Sequence, residues 1–455
     1  MMRDLTKGNE AKRILYFAIP MLIGNFFHIF NTLIDSIIVG NYLGKNALAA
    51  IGTSFPVIFA LISLIIGVSG GISIVISQYY GAKDLKNVKR AIDTAFVFLF
   101  ISSFFISIIG IIFAPNMFSM LQLDPEVMPE AVSYIRIYLA GIVFMSGFNG
   151  SIAILRGLGD SRTPLYFIVL TSITNILLEL LFVVVLGMDI KGAAYATIGA
   201  QIIGFTTSVI YLNRTHDILK ISLIPRKFDR FIFKQSLRIG LPSGAQQVFV
   251  AMGMVALLRI VNEFGTNAMA GYTVAGRIES FASLPATNFA IALSAFVGQN
   301  IGAKKMERVR KGLRATVILT SIISIFASLL ISIFASDLMK IFTSDQNVIE
   351  IGARYLSIIS PFYILFSLMF SYAGVMRGAG DTLIPMFITL FSLWIIRIPI
   401  AWLLSPVIGI DGIWWAIPLA WLFGAVASFI YYKTGNWKTK TVLSKPNPII
   451  EDVIA

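Results

Sequence analysis

Twelve apolar runs divide this chain, at about 14–40, 51–78, 91–114, 130–155, 164–187, 192–213, 239–262, 271–298, 315–336, 350–375, 384–406 and 412–432. Each is long enough to cross the ~30 Å hydrocarbon layer as a helix, which takes roughly 20 residues. None shows the ~10-residue apolar–polar alternation of a barrel strand. The pattern predicts an all-α polytopic membrane protein with twelve transmembrane helices. Polar connections are short except for 214–238, which includes Pro225 and separates the sixth run from the seventh.

The runs also repeat. Arg156-Gly157-Leu158-Gly159-Asp160 with Pro164 returns as Arg377-Gly378-Ala379-Gly380-Asp381 with Pro385, every number higher by 221 (377 minus 156). The same offset relates Gln78-Tyr79-Tyr80-Gly81-Ala82-Lys83 to Gln299-Asn300-Ile301-Gly302-Ala303-Lys304, and Leu43-Gly44-Lys45-Asn46-Ala47 to Phe264-Gly265-Thr266-Asn267-Ala268. A duplicated, apolar chain of this kind is expected to form two six-helix repeats around a central cleft, as in two-lobed transporters. The expected division is 1–225, 226–437 and a cytoplasmic tail, 438–455. An even number of helices per half keeps both repeats in one orientation. The paired glycines suit tight turns that need positive φ, with the aspartate bonding the backbone beyond. Pro20 and Pro242 fall inside the first helix of each half, where proline removes a backbone bond.

Composition fits this picture: 57% of residues are hydrophobic, 13% are charged, and the mean hydropathy is +0.84. The net charge of +13 would suit nucleic acid, but its placement points elsewhere. Alternate connections and the two ends hold 28 Lys and Arg, against three (Lys45, Lys191, Lys340) in the intervening ones. That asymmetry predicts a multi-pass protein of the cell (inner) membrane with both termini cytoplasmic, and no nucleic-acid partner. No cysteine is present, so disulfide and thiolate chemistry are excluded. With two histidines and no phosphate-binding Gly-x-x-x-x-Gly-Lys loop, neither an enzyme nor a cofactor is expected. Gly67-Val68-Ser69-Gly70-Gly71 matches a nucleophile-elbow pattern only formally. Its glycines read better as small residues allowing close helix contact.

Carboxylates inside apolar runs are the informative residues, because charge in hydrocarbon is costly and by default functional. Asp35 in the first helix, Glu179 in the fifth and Thr197 in the sixth fall at similar depth below the outer boundary. Asn175 is one turn before Glu179, on the same face. Asn25, His28, Asn31 and Asp35 form a polar stripe on the first helix. Such a pocket could take up a proton or hold a monovalent cation; the alternative is a structural ion pair with Arg136. Adding 221 turns Asp35, Asn175 and Glu179 into Ala256, Ile396 and Ile400, so the acidic site is expected in the first half only. Glu279 and Gln246 in the second half, and Asn149 in the fourth helix, are further candidates for substrate or ion contact.

These residues carry a resemblance to the multidrug and toxic compound extrusion (MATE) family of secondary transporters. It rests on Asp35-Ser36-Ile37-Ile38-Val39-Gly40, the two Gln-x-x-Gly-Ala loops, the two Arg-Gly-x-Gly-Asp turns, Asn175-Ile176-Leu177-Leu178-Glu179, and Gly192-Ala193-Ala194-Tyr195-Ala196-Thr197. The resemblance implies export of small-molecule drugs, often cationic, in exchange for H⁺ or Na⁺, by a protein expected to act as a monomer. It implies cation coupling at Asp35 with Asn175, Glu179 and Thr197 beside it, the same four being a possible Na⁺ set. The helix-five acid is commonly aspartate in the family, and Glu179 is one methylene longer. A lipid-linked oligosaccharide flippase of the same architecture, and a non-transporting receptor or assembly subunit, are the alternatives.

Overall fold

The computed structural model describes residues 4–120, 123–215, 217–220 and 228–443. The expected boundary at 225/226, His216 and the tail beyond 443 lie outside the described residues. Among the described residues there are helices and turns but no strands. The spans are α1 (Glu10–Tyr42), α2 (Gly44–Gly81), α3 (Leu85–Met120), α4 (Met128–Ala140 and Ile142–Gly157), α5 (Arg162–Val185) and α6 (Asp189–Thr215). The second set is α7 (Arg230–Asn262), α8 (Thr266–Gly302), α9 (Met306–Lys340), α10 (Gln346–Ala379), α11 (Leu383–Ile408) and α12 (Asp411–Thr434). Eleven of them qualify singly as spans by length and composition, and α4 makes the twelfth as a bent pair.

Local chemistry explains the ends and breaks. Asn9 accepts from Lys12 N at the start of α1, and Asp229 accepts from Phe231 N and Ile232 N at the start of α7, satisfying donors a helix cannot satisfy itself. The 51° bend of α4 falls at Gly141, where a Cβ would sit 2.4 Å from Cγ1 of Ile198 on α6. Apolarity alone gave one straight run there; the close approach of α6 bends it. Pro20 and Pro242 lie within α1 and α7, each of which continues through its proline as one helix of 33 residues. The turns after α4 and α10 use Gly159 (φ 81°) and Gly380 (φ 95°). Asp160 accepts from Arg162 N and Thr163 N, as its place in the turn implies, whereas Asp381 accepts the Tyr431 hydroxyl at 2.5 Å.

The two first helices cross over. In the half of α1 nearest the amino terminus, Ile14, Phe17, Ala18 and Met21 pack in one core with Phe289, Leu293 and Phe296 of α8 and Leu313 of α9. Ile232 and Ile239 of α7 reciprocate by packing in the core of the first six helices. The two seams are made differently. α2 meets α7 through glycines: a Cβ at Gly67 would sit 2.3 Å from Gly244 N, and one at Gly71 would sit 2.7 Å from Gly240 N. Facing Gly-x-x-x-Gly pairs let backbones touch, as the sequence suggested for Gly67 and Gly71. α1 meets α8 through a side-chain bond instead, Asn25 Nδ2 to Asn288 Oδ1 at 2.9 Å.

Replacing Gly71 by leucine should therefore lower the melting temperature and the yield of monodisperse protein, at a cost of about 1–3 kcal/mol or more from forced overpacking. Gly70→Ala, where an added Cβ meets nothing within 4 Å, should be close to neutral. Equal melting temperatures for the two variants in detergent would refute the backbone contact.

Candidate cation site

The fifth span supplies the centre of the site. Asn175 and Glu179 are buried on one face of α5, one turn apart, and a π-helical stretch, Leu180–Val185, follows Glu179 directly. π-turns are rare and concentrate at functional positions. Asp35 comes from α1 and is half-buried. Asn31, one turn before it, holds the two helices together: its Nδ2 donates to Asn175 Oδ1 at 2.7 Å and to Asp35 Oδ2 at 3.2 Å. The Asp35 and Glu179 carboxyls lie close enough to share a hydrogen bond if one of them carries a proton. Taken as ionised, both Glu179 oxygens and Asn31 Oδ1 are buried with no donor facing them among the described residues. Asn175 Nδ2 is buried with no acceptor.

The other candidates divide. His28 is exposed on α1, within electrostatic reach of Asp35. Thr197 is half-buried on α6, and its hydroxyl bonds its own helix at Ala193 O, 3.1 Å away. Asn149 likewise donates to Met145 O within α4. Gln246 is tied into the framework: Arg377 donates to its Oε1 at 2.7 Å, and its Nε2 donates to Thr389 Oγ1 at 2.5 Å. Arg136 does not pair with the acids. It is exposed, and its Nε donates to Ile111 O at 3.2 Å, so the structural ion pair it would have made is not formed.

The second set of helices has its own polar cluster. Tyr355 of α10 donates its hydroxyl to Glu279 of α8, and the buried Arg397 of α11 is within electrostatic reach of Glu279. Tyr272 stacks on Trp414 with ring centroids 5.6 Å apart, and Tyr355 meets Trp414 edge-on. Tyr134, buried in the first half beside both Asp35 and Glu179, is the repeat counterpart of Tyr355 (134 plus 221). Sequence reasoning passed over both tyrosines. Their match in the repeat register, each among charged neighbours, was the signal available. Apart from either cluster, a cavity of about 830 Å³ opens between α2, α7 and α11, lined by Pro56, Val248, Met252, Arg259, Trp394 and Trp402 among others.

Two six-helix repeats with buried acids held between membrane-spanning helices define an integral, multi-pass membrane transporter. The chain belongs to the MatE family, whose sequence profile matches 20–181 and again 242–403. It is 32% identical to "Probable multidrug resistance protein YpnP" of Bacillus subtilis (strain 168), over 97% of this chain and 99% of the relative. A "FAD transporter" of Shewanella oneidensis is 25% identical, over 91% of this chain and 93% of that one. A solved structure described as "Outward-facing conformation of a multidrug resistance MATE family transporter of the MOP superfamily" superimposes with a TM-score of 0.90 at 26% identity, covering 96% of this chain and 98% of that one. The offset between the two matched stretches is 222 (242 minus 20), one more than the motif offset.

Tyr355→Phe would leave the half-buried Glu279 carboxyl without its donor, a loss of about 1–2 kcal/mol. Tyr138→Phe, which removes only a 3.4 Å contact to Met145 sulfur, should cost far less. Thermal unfolding of the two purified variants checks this, with equal midpoints as the refuting result.

Proposed function

We propose that the protein is a secondary antiporter that exports small organic compounds, often cationic, in exchange for protons. The observation that carries this reading is the pairing of Asp35 with Glu179 in a pocket where buried oxygens lack donors. Two adjacent carboxylates repel, and a proton shared between them both removes a charge and supplies the missing donor. Asn175 supports H⁺ over Na⁺, since its oxygen is already bonded and its unpaired group is a nitrogen, which cannot ligate a cation. The extra methylene of Glu179 affects a shared proton less than it would a fixed coordination shell. Asp35, Asn175 and Glu179 are thus proposed as the coupling residues, with Asn31 bridging them and Thr197 at the margin.

In this cycle, proton uptake removes one of the pair's two charges, weakens the Asn31–Asn175 link between α1 and α5, and lets α1 shift as the cargo leaves. The proton is then carried across as the two lobes, joined by the 214–238 connection, rock against each other. Cargo and proton need not share a site. The cavity of about 830 Å³ is within the size range of drug-like ligands, and its Trp and Met walls suit amphipathic compounds. The basic connections support placing both termini in the cytoplasm.

Efflux of a cationic dye from proteoliposomes should follow an imposed proton gradient and ignore a sodium gradient. Asp35→Asn should lower proton-driven efflux by at least about 100-fold while the protein still inserts and folds, and Glu179→Gln should lower it strongly as well. Wild-type efflux by Asp35→Asn refutes the coupling role, and efflux driven by sodium alone refutes the choice of ion.

A further inference from the structure

The two motifs that first revealed the duplication, Gln-x-x-Gly-Ala and Arg-Gly-x-Gly-Asp, take no part in the cation site. They meet each other across the seam between the repeats. Gln78 Nε2 donates to Gly378 O at 2.9 Å, and Gln299 Nε2 donates to Gly157 O at 3.1 Å. Donors and acceptors alike are related by the repeat offset of 221 (299 minus 78, 378 minus 157), so the glutamine of each repeat bonds the turn of the other. The acceptors are carbonyls in the last turns of α4 and α10, which a helix leaves unsatisfied. Both glutamines are 0% exposed. Gly81 and Gly302 make room for the contact, since a Cβ at either would lie 2.0 Å from the carbonyl oxygen of Gln299 or Gln78 respectively.

The oxygens of the same two amides are taken by the ends of the chain. Leu5 N donates to Gln299 Oε1 at 2.9 Å. Val442 N and the Thr441 hydroxyl donate to Gln78 Oε1 at 2.8 and 2.9 Å. These segments are crossed: Leu5 is buried in the core containing α8 and α9, and Val442 in the core of the first six helices. Lys305 Nζ to Thr6 O and Gln235 Nε2 to Val442 O add to the two anchorages. The two nitrogen bonds thus run between parts that must separate if this face of the protein opens, while each oxygen bond ties its glutamine to the strap docked on its own side.

We infer that Gln78 and Gln299, with the terminal segments at Leu5 and Thr441–Val442, are the gate that closes the face of the transporter carrying both termini. The amides hold the repeats together there in the closed state, and the straps complete their bonding. Opening transfers both amide nitrogens and two helix-end carbonyls to water, while each strap holds an amide oxygen so that its nitrogen points across the seam. The gate does not depend on which cation drives transport.

The chain has no cysteine, so two spin labels at Lys86→Cys and Glu307→Cys, exposed positions on opposite sides of this seam, report its width by pulsed electron–electron resonance in nanodiscs. The Gln78→Leu/Gln299→Leu variant should raise the separated population relative to the closed one by at least about fivefold for each bond lost. Because that variant could fail to fold, Val442→Pro and Leu5→Pro provide an independent test. Each removes one strap N–H outside the helices, and the backbone of Thr441 (φ −56°, ψ 146°) suits a following proline. Both should shift the same population in the same direction, by about fivefold. An unchanged distance distribution in the folded proline variants, or lower stability without a wider separation, overturns the gate.

Discussion

A polar group inside hydrocarbon must find a partner, because no water is there to replace one. That constraint separates the fixed parts of this molecule from the part that responds. At the face carrying the termini, the glutamine amides are bonded through both nitrogen and oxygen, and helix-end carbonyls are capped from the opposite repeat. Around Glu179 the constraint is left unmet: acceptors face acceptors. The same chemistry that satisfies the amides at one end of the protein leaves buried oxygens without donors at the other. Both are consequences of where donors are placed, on helices that are otherwise alike in hydropathy.

Much of the architecture was legible in the sequence, and for a clear reason. Twelve spans follow from run length, since the bilayer thickness sets the ruler, and the duplication follows from motif spacing. Asp35, Asn175 and Glu179 stood out because carboxylates and amides are rare in such runs, and helical spacing put the last two on one face. Other features had no one-dimensional trace. The bend at Gly141 depends on how closely Ile198 approaches, which hydropathy does not record. A π stretch such as Phe391–Arg397 changes which side chains share a face without changing apolarity, so hydropathy does not show it. Arg136 looked like a partner for the acids by depth, but depth says nothing about direction, and its side chain turns to Ile111.

The repeats share a scaffold and differ in what they bury. In the first, two acids face each other beside Tyr134 with no fixed cation. In the second, Glu279 has a tyrosine donor and the buried Arg397 guanidinium within electrostatic reach. A charge carried on a side chain cannot be exchanged with the medium, whereas a charge borrowed from solution can. The duplication thus supplied two equivalent scaffolds, and substitution left only one of them with a pair of facing acids. The seams diverged as well: α2 and α7 touch through bare backbone, while α1 and α8 are joined by a pair of amides.

The crossed terminal straps also set an order on biosynthesis. Leu5 is synthesised 294 positions before its partner Gln299, and Val442 reaches back 364 positions to Gln78. At synthesis rates of about 5–20 residues per second, the amino-terminal segment waits on the order of 15–60 s for its docking site. Only a chain with both halves inserted can seat the two ends. A truncated or half-inserted chain is therefore left with unsatisfied amides at that face, an exposed mark of incomplete assembly.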